Sequence, residues 1–294
     1  MTMRFHPIGM DRQREYLNVL GRCPEKFSDY SFINLWGWAD IYGLEWAWEE
    51  SHFWIRRTIP ETIYWAPVGP WTGTDWKKTL KDHIPTDAVF LRVPEMLAGI
   101  WEKASDGRID VQESREHWDY LYDKTDLIDL KGNRFHKKKN LFNQFKKKYD
   151  FEYIAFTKDM IHMALGMQED WCTWRDCEAS EALEAENRVI LKILNHWENL
   201  TGILGGALFV DRKMVAYTVA EKMPQDTLLI HFEKGNQEYK GVYQAINQVF
   251  LSHSGEAIKY ANREQDLGNE GLRKAKLSYH PVGFNKKYRV SRLV

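Results

Sequence analysis

Hydrophobic and polar positions change period repeatedly along the chain, and each change marks an element. Residues 31–42 place apolar side chains at helical spacing, whereas 44–48, 53–57 and 62–66 alternate or are rich in aromatics, as strands prefer. The run Pro67-Val-Gly-Pro70 marks a loop, 76–83 a short helix and 88–93 a buried strand. Pro94 then opens a helix over 95–104. Further on, 135–149 predicts a basic helix with Leu141, Phe142 and Phe145 on one face, followed by a strand over 151–156. Two helices (158–175, 179–199) and three strands (203–210, 214–221, 227–233) follow. A helix (242–252), a strand (257–260), a helix (270–277) and a last strand (288–292) complete the pattern. The order of elements repeats between halves without a residue-level repeat. It predicts a mixed α/β protein of two consecutive domains, 1–125 and 126–294, changing over near 118–132.

Composition refines this picture. Ten of the 13 tryptophans fall before residue 119, and that half shows few paired ionisable groups, so it reads as scaffold. No apolar run approaches a membrane span and residues 1–22 lack the apolar stretch of a secretory signal, so a cytoplasmic location is expected. Cys172 and Cys177 have no third ligand nearby, so buried thiols are expected, with neither a zinc set nor a disulfide framework. The net charge of −1 is an average. Residues 131–149 hold eight basic side chains and 271–294 hold seven, with no acid in either, which leaves the remainder at −16. Near-neutrality therefore excludes a uniformly basic protein but not a local polyanion site.

Three segments carry candidate chemistry. The first is the loop His231-Phe-Glu-Lys-Gly235-Asn-Gln-Glu-Tyr-Lys-Gly241, which leads from a strand into a helix N-terminus whose free N–H groups suit a phosphate or carboxylate. A plain β–α turn with permissive glycines explains it as well. In the second, Asn262, Arg263, Glu264 and Asp266 cluster beyond a strand end and precede a helix with Arg273 and Lys276 on one face. The alternative is a solvated loop and an ordinary basic helix. The third is the lysine-rich helix around Lys137, Lys138 and Lys139, either a solvated surface or a positive field for phosphate groups.

Together these segments resemble the C-terminal domain family of bacterial phosphatidylglycerol lysyltransferases, particularly its stand-alone members. The matching stretches run from Tyr120 to Asn140 (YLYDKTDLIDLKGNRFHKKKN) and from Asn262 to Lys276 (NREQDLGNEGLRKAK), with the Tyr239-Lys-Gly-Val-Tyr-Gln turn and Glu186. The resemblance implies two consecutive GNAT acyltransferase-like folds and transfer of an acyl group, often aminoacyl from aminoacyl-tRNA, to a hydroxyl or amine. It places the active site in the C-terminal half. Glu264, Asp266, Glu233 or His231 would serve as base or orienter, and Arg273 and Lys276 would hold a phosphate or stabilise negative charge. Lys240, Gly241, Tyr243 and Asn262 would hold the donor, and Lys137 and Lys138 would guide tRNA. The acceptor would be a lipid or an amine, and no metal or further cofactor is expected.

Two departures matter. The lipid-modifying enzymes carry a long membrane region, and this chain has none. The pyrophosphate signature of GNAT enzymes, Gln/Arg-x-x-Gly-x-Gly/Ala, aligns with Glu238-Tyr-Lys-Gly241-Val-Tyr243. Glu238 would repel a pyrophosphate and Tyr243 would crowd it, which favours a donor other than acetyl-CoA. An acetyl-CoA-dependent N-acetyltransferase and a non-catalytic module binding RNA or an anionic membrane surface are the alternatives.

Overall fold

The computed structural model describes residues 3–49, 51–85, 87–224 and 226–292. In chain order its strands are β1 (His6–Pro7), β2 (Glu45–Glu49), β3 (His52–Arg57), β4 (Ile63–Val68), β5 (Val89–Pro94), β6 (Ile109–Glu113) and β7 (Asp119–Asp123). The second seven are β8 (Phe151–Ala155), β9 (Ile203–Val210), β10 (Lys213–Met223), β11 (Thr227–Gly235), β12 (Tyr260–Asn262), β13 (Gly283–Asn285) and β14 (Lys287–Arg292). They form two seven-stranded sheets, ordered β1-β2-β3-β4-β5-β14-β6 and β13-β7-β12-β11-β10-β9-β8.

The two sheets repeat one topology. Each begins with four antiparallel strands, then places one strand parallel to the fourth (β5 on β4, β12 on β11) after an intervening helix. The sixth place is filled by a strand from elsewhere in the chain. β14, from the C-terminus, lies antiparallel between β5 and β6, whereas β7 occupies the matching place beside β12. This is a mixed α/β protein built on two sheets of one topology. The compact units are accordingly not contiguous in sequence. The first comprises 1–119, 265–273 and 284–294, and the second 120–264 and 274–283. A single boundary at 125/126 does not describe them, because the C-terminal residues complete the first sheet.

Aromatic mass builds the first unit. Trp46, Trp54, Trp71 and Trp101 are fully buried, and rings meet edge to face, as in Trp76–Trp101 with centroids 5.6 Å apart and planes at 63°. The tryptophan-rich composition is thus a core feature. In the second unit the apolar stripe of the helix Val242–Ser252 (Val242, Ala245, Ile246) packs with Leu208, Val210, Val215 and Ala216 of the sheet. Phe145, from the basic helix His136–Lys148, completes that cluster, so the apolar face read from sequence is a core face.

Two local expectations are corrected. The strand expected over 257–260 lies at Tyr260–Asn262, because Ile258 closes a turn onto Gly255 before the chain extends. Cys172 and Cys177 form a disulfide with Cα atoms 5.0 Å apart. The helix Ile161–Arg175 ends at Asp176 in the left-handed conformation, and this reversal brings Cys177 back beside Cys172. Cys23 is buried as a free thiol, with its pKa pushed up by burial to about 11.

Candidate active site

β11 and β12 pair in parallel over three positions, ending at Leu229↔Asn262. Beyond that pair β11 continues to Gly235 while β12 stops, so the sheet opens at the C-terminal ends of its parallel strands. Side chains from both strands fill the opening. From β11, Glu233 pairs with Arg263, the residue directly after β12, and its other oxygen accepts a 2.9 Å hydrogen bond from Asn247 Nδ2. The Arg263 guanidinium lies 5.0 Å from the Tyr279 ring centroid and 5.9 Å from that of Tyr122. Burial alone would lower the Arg263 pKa, but Glu233 and the tyrosines outweigh it and raise it. Gln244 Nε2 donates to Tyr279 Oη, and Lys138 Nζ stands 4.3 Å over the same ring. Burial, then the charge of Arg263, lowers the Lys138 pKa.

Next to this pair, the register between β10 and β11 passes from Val219↔Phe232 to Ala220↔Ile230, so His231 is the extra residue of a bulge. Its buried ring sets Nδ1 at 3.0 Å from Glu264 Oε1 and Nε2 at 3.8 Å from Glu221 Oε1. Burial by itself would lower the His231 pKa, yet the two carboxylates outweigh it and raise it. Glu264 reaches inward because Asn262 Oδ1 accepts its backbone N–H at 2.8 Å, turning the chain with Glu264 at φ 56°. Asn262 thus shapes the turn.

Lys234 follows Glu233 on β11 and therefore faces the other side of the sheet. Its Nζ is 2.6 Å from Glu186 Oε2 and 3.8 Å from the Trp171 ring centroid. Burial lowers its pKa, an effect Glu186 partly offsets. Trp171 Nε1 donates to Tyr243 Oη at 3.1 Å, so Tyr243 is fixed in this cluster.

Several residues expected from sequence have other placements. Asp266, fully buried, takes two hydrogen bonds of 2.9 Å from Arg273 and lies 3.3 Å from Arg115; all three belong to the first unit, separate from Glu233, His231 and Glu264. Their geometry anchors the start of the helix Glu270–Leu277. Lys276 Nζ donates a 2.6 Å hydrogen bond to the Arg263 carbonyl, which ties the helix Glu270–Leu277 to the backbone of the site. Gly241 begins the helix Val242–Ser252 at φ 90°, but a Cβ there would collide with the Leu141 carbonyl oxygen. The glycine serves close passage of the basic helix, so a phosphate cradle is not what demands it. Lys137 and Lys240 are exposed. Arg263 stood in the cluster read from sequence but without a role, and the site members that sequence reasoning missed are Asn247, Gln244, Tyr122 and Tyr279. The available signal for Asn247 was a polar residue among the buried positions of an apolar helix. Among the described residues no group of acids, histidines or cysteines is placed to hold a metal ion.

The family model for the C-terminal region of phosphatidylglycerol lysyltransferase matches residues 22–291. The chain belongs to this family. A similar solved structure is a conserved protein of unknown function from Bacteroides thetaiotaomicron VPI-5482, 31% identical, covering 99% of both chains with a TM-score of 0.89. The C-terminal domain of a putative lysylphosphatidylglycerol synthetase from Agrobacterium fabrum shares the fold at 13% identity, with a TM-score of 0.65 over 96% of this chain and 92% of that one. An uncharacterized protein of Mycoplasmoides gallisepticum is 27% identical over 175 residues, 58% of this chain and 55% of that protein. The chain thus spans about half the length of that curated relative. Among the described residues no helix of this phosphatidylglycerol lysyltransferase-family chain is long and apolar enough to cross a membrane.

Proposed function

We propose that this chain is a GNAT-like acyltransferase that moves an aminoacyl group from aminoacyl-tRNA to a hydroxyl or amine acceptor. The observation that carries the reading is the largely buried Glu233–Arg263 pair at the opening between β11 and β12, with the Tyr122 and Tyr279 rings beside its guanidinium. Acyl transfer creates an oxyanion where the nucleophile adds to the ester carbonyl, and a preorganised cation stabilises that charge best in a dry site. Arg263 supplies it, held in place by Glu233. As the guanidinium turns toward the oxyanion, Glu233 accepts the proton of the attacking hydroxyl or amine and returns it to the departing ribose oxygen. The new acyl bond forms as the ester C–O bond breaks, and the proton count is conserved.

The donor assignment is supported by two features. Tyr243, held by a hydrogen bond from Trp171 Nε1, puts a bulky ring at the last position of the pyrophosphate signature, which disfavours CoA. Lys138 stands at the Tyr279 ring, with Lys137, Lys139 and the Lys146–Lys148 triplet on the same helix. These suit a polyanionic donor. The test is transfer from charged tRNA and from acetyl-CoA, assayed side by side with the wild type, Glu233→Gln and Arg263→Lys. Transfer from aminoacyl-tRNA should fall by roughly 10²-fold or more in each variant, as for removal of one oxyanion donor. Undiminished transfer in both variants rejects the site, and turnover with acetyl-CoA alone rejects the donor.

A further inference from the structure

Within the second unit, the end of the helix Ile161–Arg175 and the segment leaving β11 enclose a cavity of about 170 Å³, lined by Trp171, Trp174, Arg175 and residues 235–238. Sites for drug-sized ligands begin at ~300 Å³, so this one takes a single ring system rather than an extended molecule. One wall is built in advance. Trp171 is buried, with Nε1 donating to Tyr243 Oη at 3.1 Å and Lys234 Nζ 3.8 Å from its ring centroid. Trp174, one helical turn further on, is 48% exposed, whereas every other described tryptophan is buried or half-buried. The Cys172–Cys177 disulfide closes the chain on both sides of Trp174 and Arg175, where the helix stops at Asp176. A helix end that would otherwise fray is thus tied down, and the open indole with it.

Charge decides the class of occupant. The lining carries one cation, Arg175, and one anion, Glu238, and the Lys234 ammonium behind Trp171 is matched by Glu186 at 2.6 Å. A cationic guest meets Arg175, whose guanidinium lies 5.8 Å from the Trp171 centroid, and an anionic guest meets Glu238. A neutral, flat ring with hydrogen-bonding edges meets neither objection. Asn236 Oδ1 accepts the Glu238 backbone N–H at 2.9 Å, and Asn236 Nδ2 lies 3.3 Å from Glu238 Oε2. These bonds order the turn that carries the exposed Gln237 and Glu238 side chains.

We infer that this cavity is a nucleobase subsite, in which an amino-bearing base such as adenine stacks on Trp174 and donates its exocyclic N–H to Glu238. Every base has a π-face, so stacking supplies affinity and the carboxylate supplies the preference for an amine. Two sources carry such a base, a free nucleoside and a single-stranded RNA end. The inference stands apart from the acyl-transfer reading, because neither Glu233 nor Arg263 lines the cavity.

The experiment follows the indole ¹H–¹⁵N signals of Trp171 and Trp174 in the full chain, assigned by Trp171→Phe and Trp174→Phe. Adenosine, inosine, the trinucleotide CCA, ribose phosphate or choline is added at constant ionic strength. Adenosine should shift both signals along a saturating curve and bind roughly threefold or more tighter than inosine, which lacks the amine. Glu238→Ala should remove that preference. Trp174→Ala, read at Trp171, should weaken adenosine binding roughly tenfold, and Trp174→Phe should keep most of the affinity. Saturation by CCA at lower concentration than adenosine assigns the site to an RNA end, and equal curves assign it to the free nucleoside. Choline or ribose phosphate binding as tightly as adenosine, drift without saturation, a curve unchanged in Trp174→Ala, or a preference that survives Glu238→Ala overturns the proposal. Melting curves report whether the variants fold, and the comparison of adenosine with inosine in the wild type depends on none of them.

Discussion

His117, in the short helical turn Arg115–His117, and His231, in β11, respond to pH in opposite senses. Burial and nearby cations lower the His117 pKa to about 3, so the unfolded chain takes up its proton first. Its contribution to stability is complete above about pH 6.5 and is lost as the pH falls from there toward 3. Urea unfolding between pH 7 and 4 should therefore show a shallower loss of stability for His117→Asn than for the wild type. His231, by contrast, has a raised pKa because Glu264 and Glu221 outweigh its burial. Its contribution is complete below about pH 6.5 and is lost as the pH rises through the folded-state value. An NMR titration of its ring that placed the midpoint below 6.5 would contradict this arrangement. Single side chains were also where sequence reasoning had least purchase. Glu233 and Glu264 stood out as carboxylates near strand ends, but the partner of Glu233 is thirty residues away, and that distance has no local signature.

For whole elements the sequence was informative wherever burial is one-sided. The helix Val242–Ser252 and strands β9 to β11 follow their apolar periods closely. β6 and β7 escaped because their five residues carry acids and tyrosines that do not alternate cleanly. The disulfide escaped because nothing in a five-residue spacing indicates that Asp176 reverses the helix end. Two element-level predictions follow from packing. Gly241→Ala should lower stability by about 2–4 kcal/mol, through strain at φ 90° and collision with Leu141, read as a drop in melting temperature. Asp266→Ala should act as a folding mutation, because it leaves Arg273 and Arg115 without their buried carboxylate. The expected cost is about 3 kcal/mol. Activity per folded molecule that vanished while the melting temperature held would restore Asp266 to the chemistry.

Across the whole molecule, the repeated topology was legible as an order of elements, whereas the exchange of strands was not. Pairing of β14 with β5 and β6 joins residues nearly two hundred positions apart, and the hydrophobic pattern of β14 is compatible with either sheet. A fragment cut at 125/126 lacks β14 and leaves β5 and β6 without the strand between them. It should be insoluble or unfolded by circular dichroism. A well-folded 1–125 fragment would show that β14 is dispensable.

The same exchange sets a schedule for biosynthesis. β6 ends at Glu113 and waits for β14, which begins at Lys287. At ~5–20 residues per second that interval lasts roughly 10–35 s. Throughout it the nascent first sheet exposes two strand edges that nothing yet covers, a template for mispairing with neighbouring chains. The tryptophan-dense body of that sheet makes such mispairing costly to the cell. Chaperone demand during translation, rather than stability after release, is where this architecture should be most sensitive to mutation.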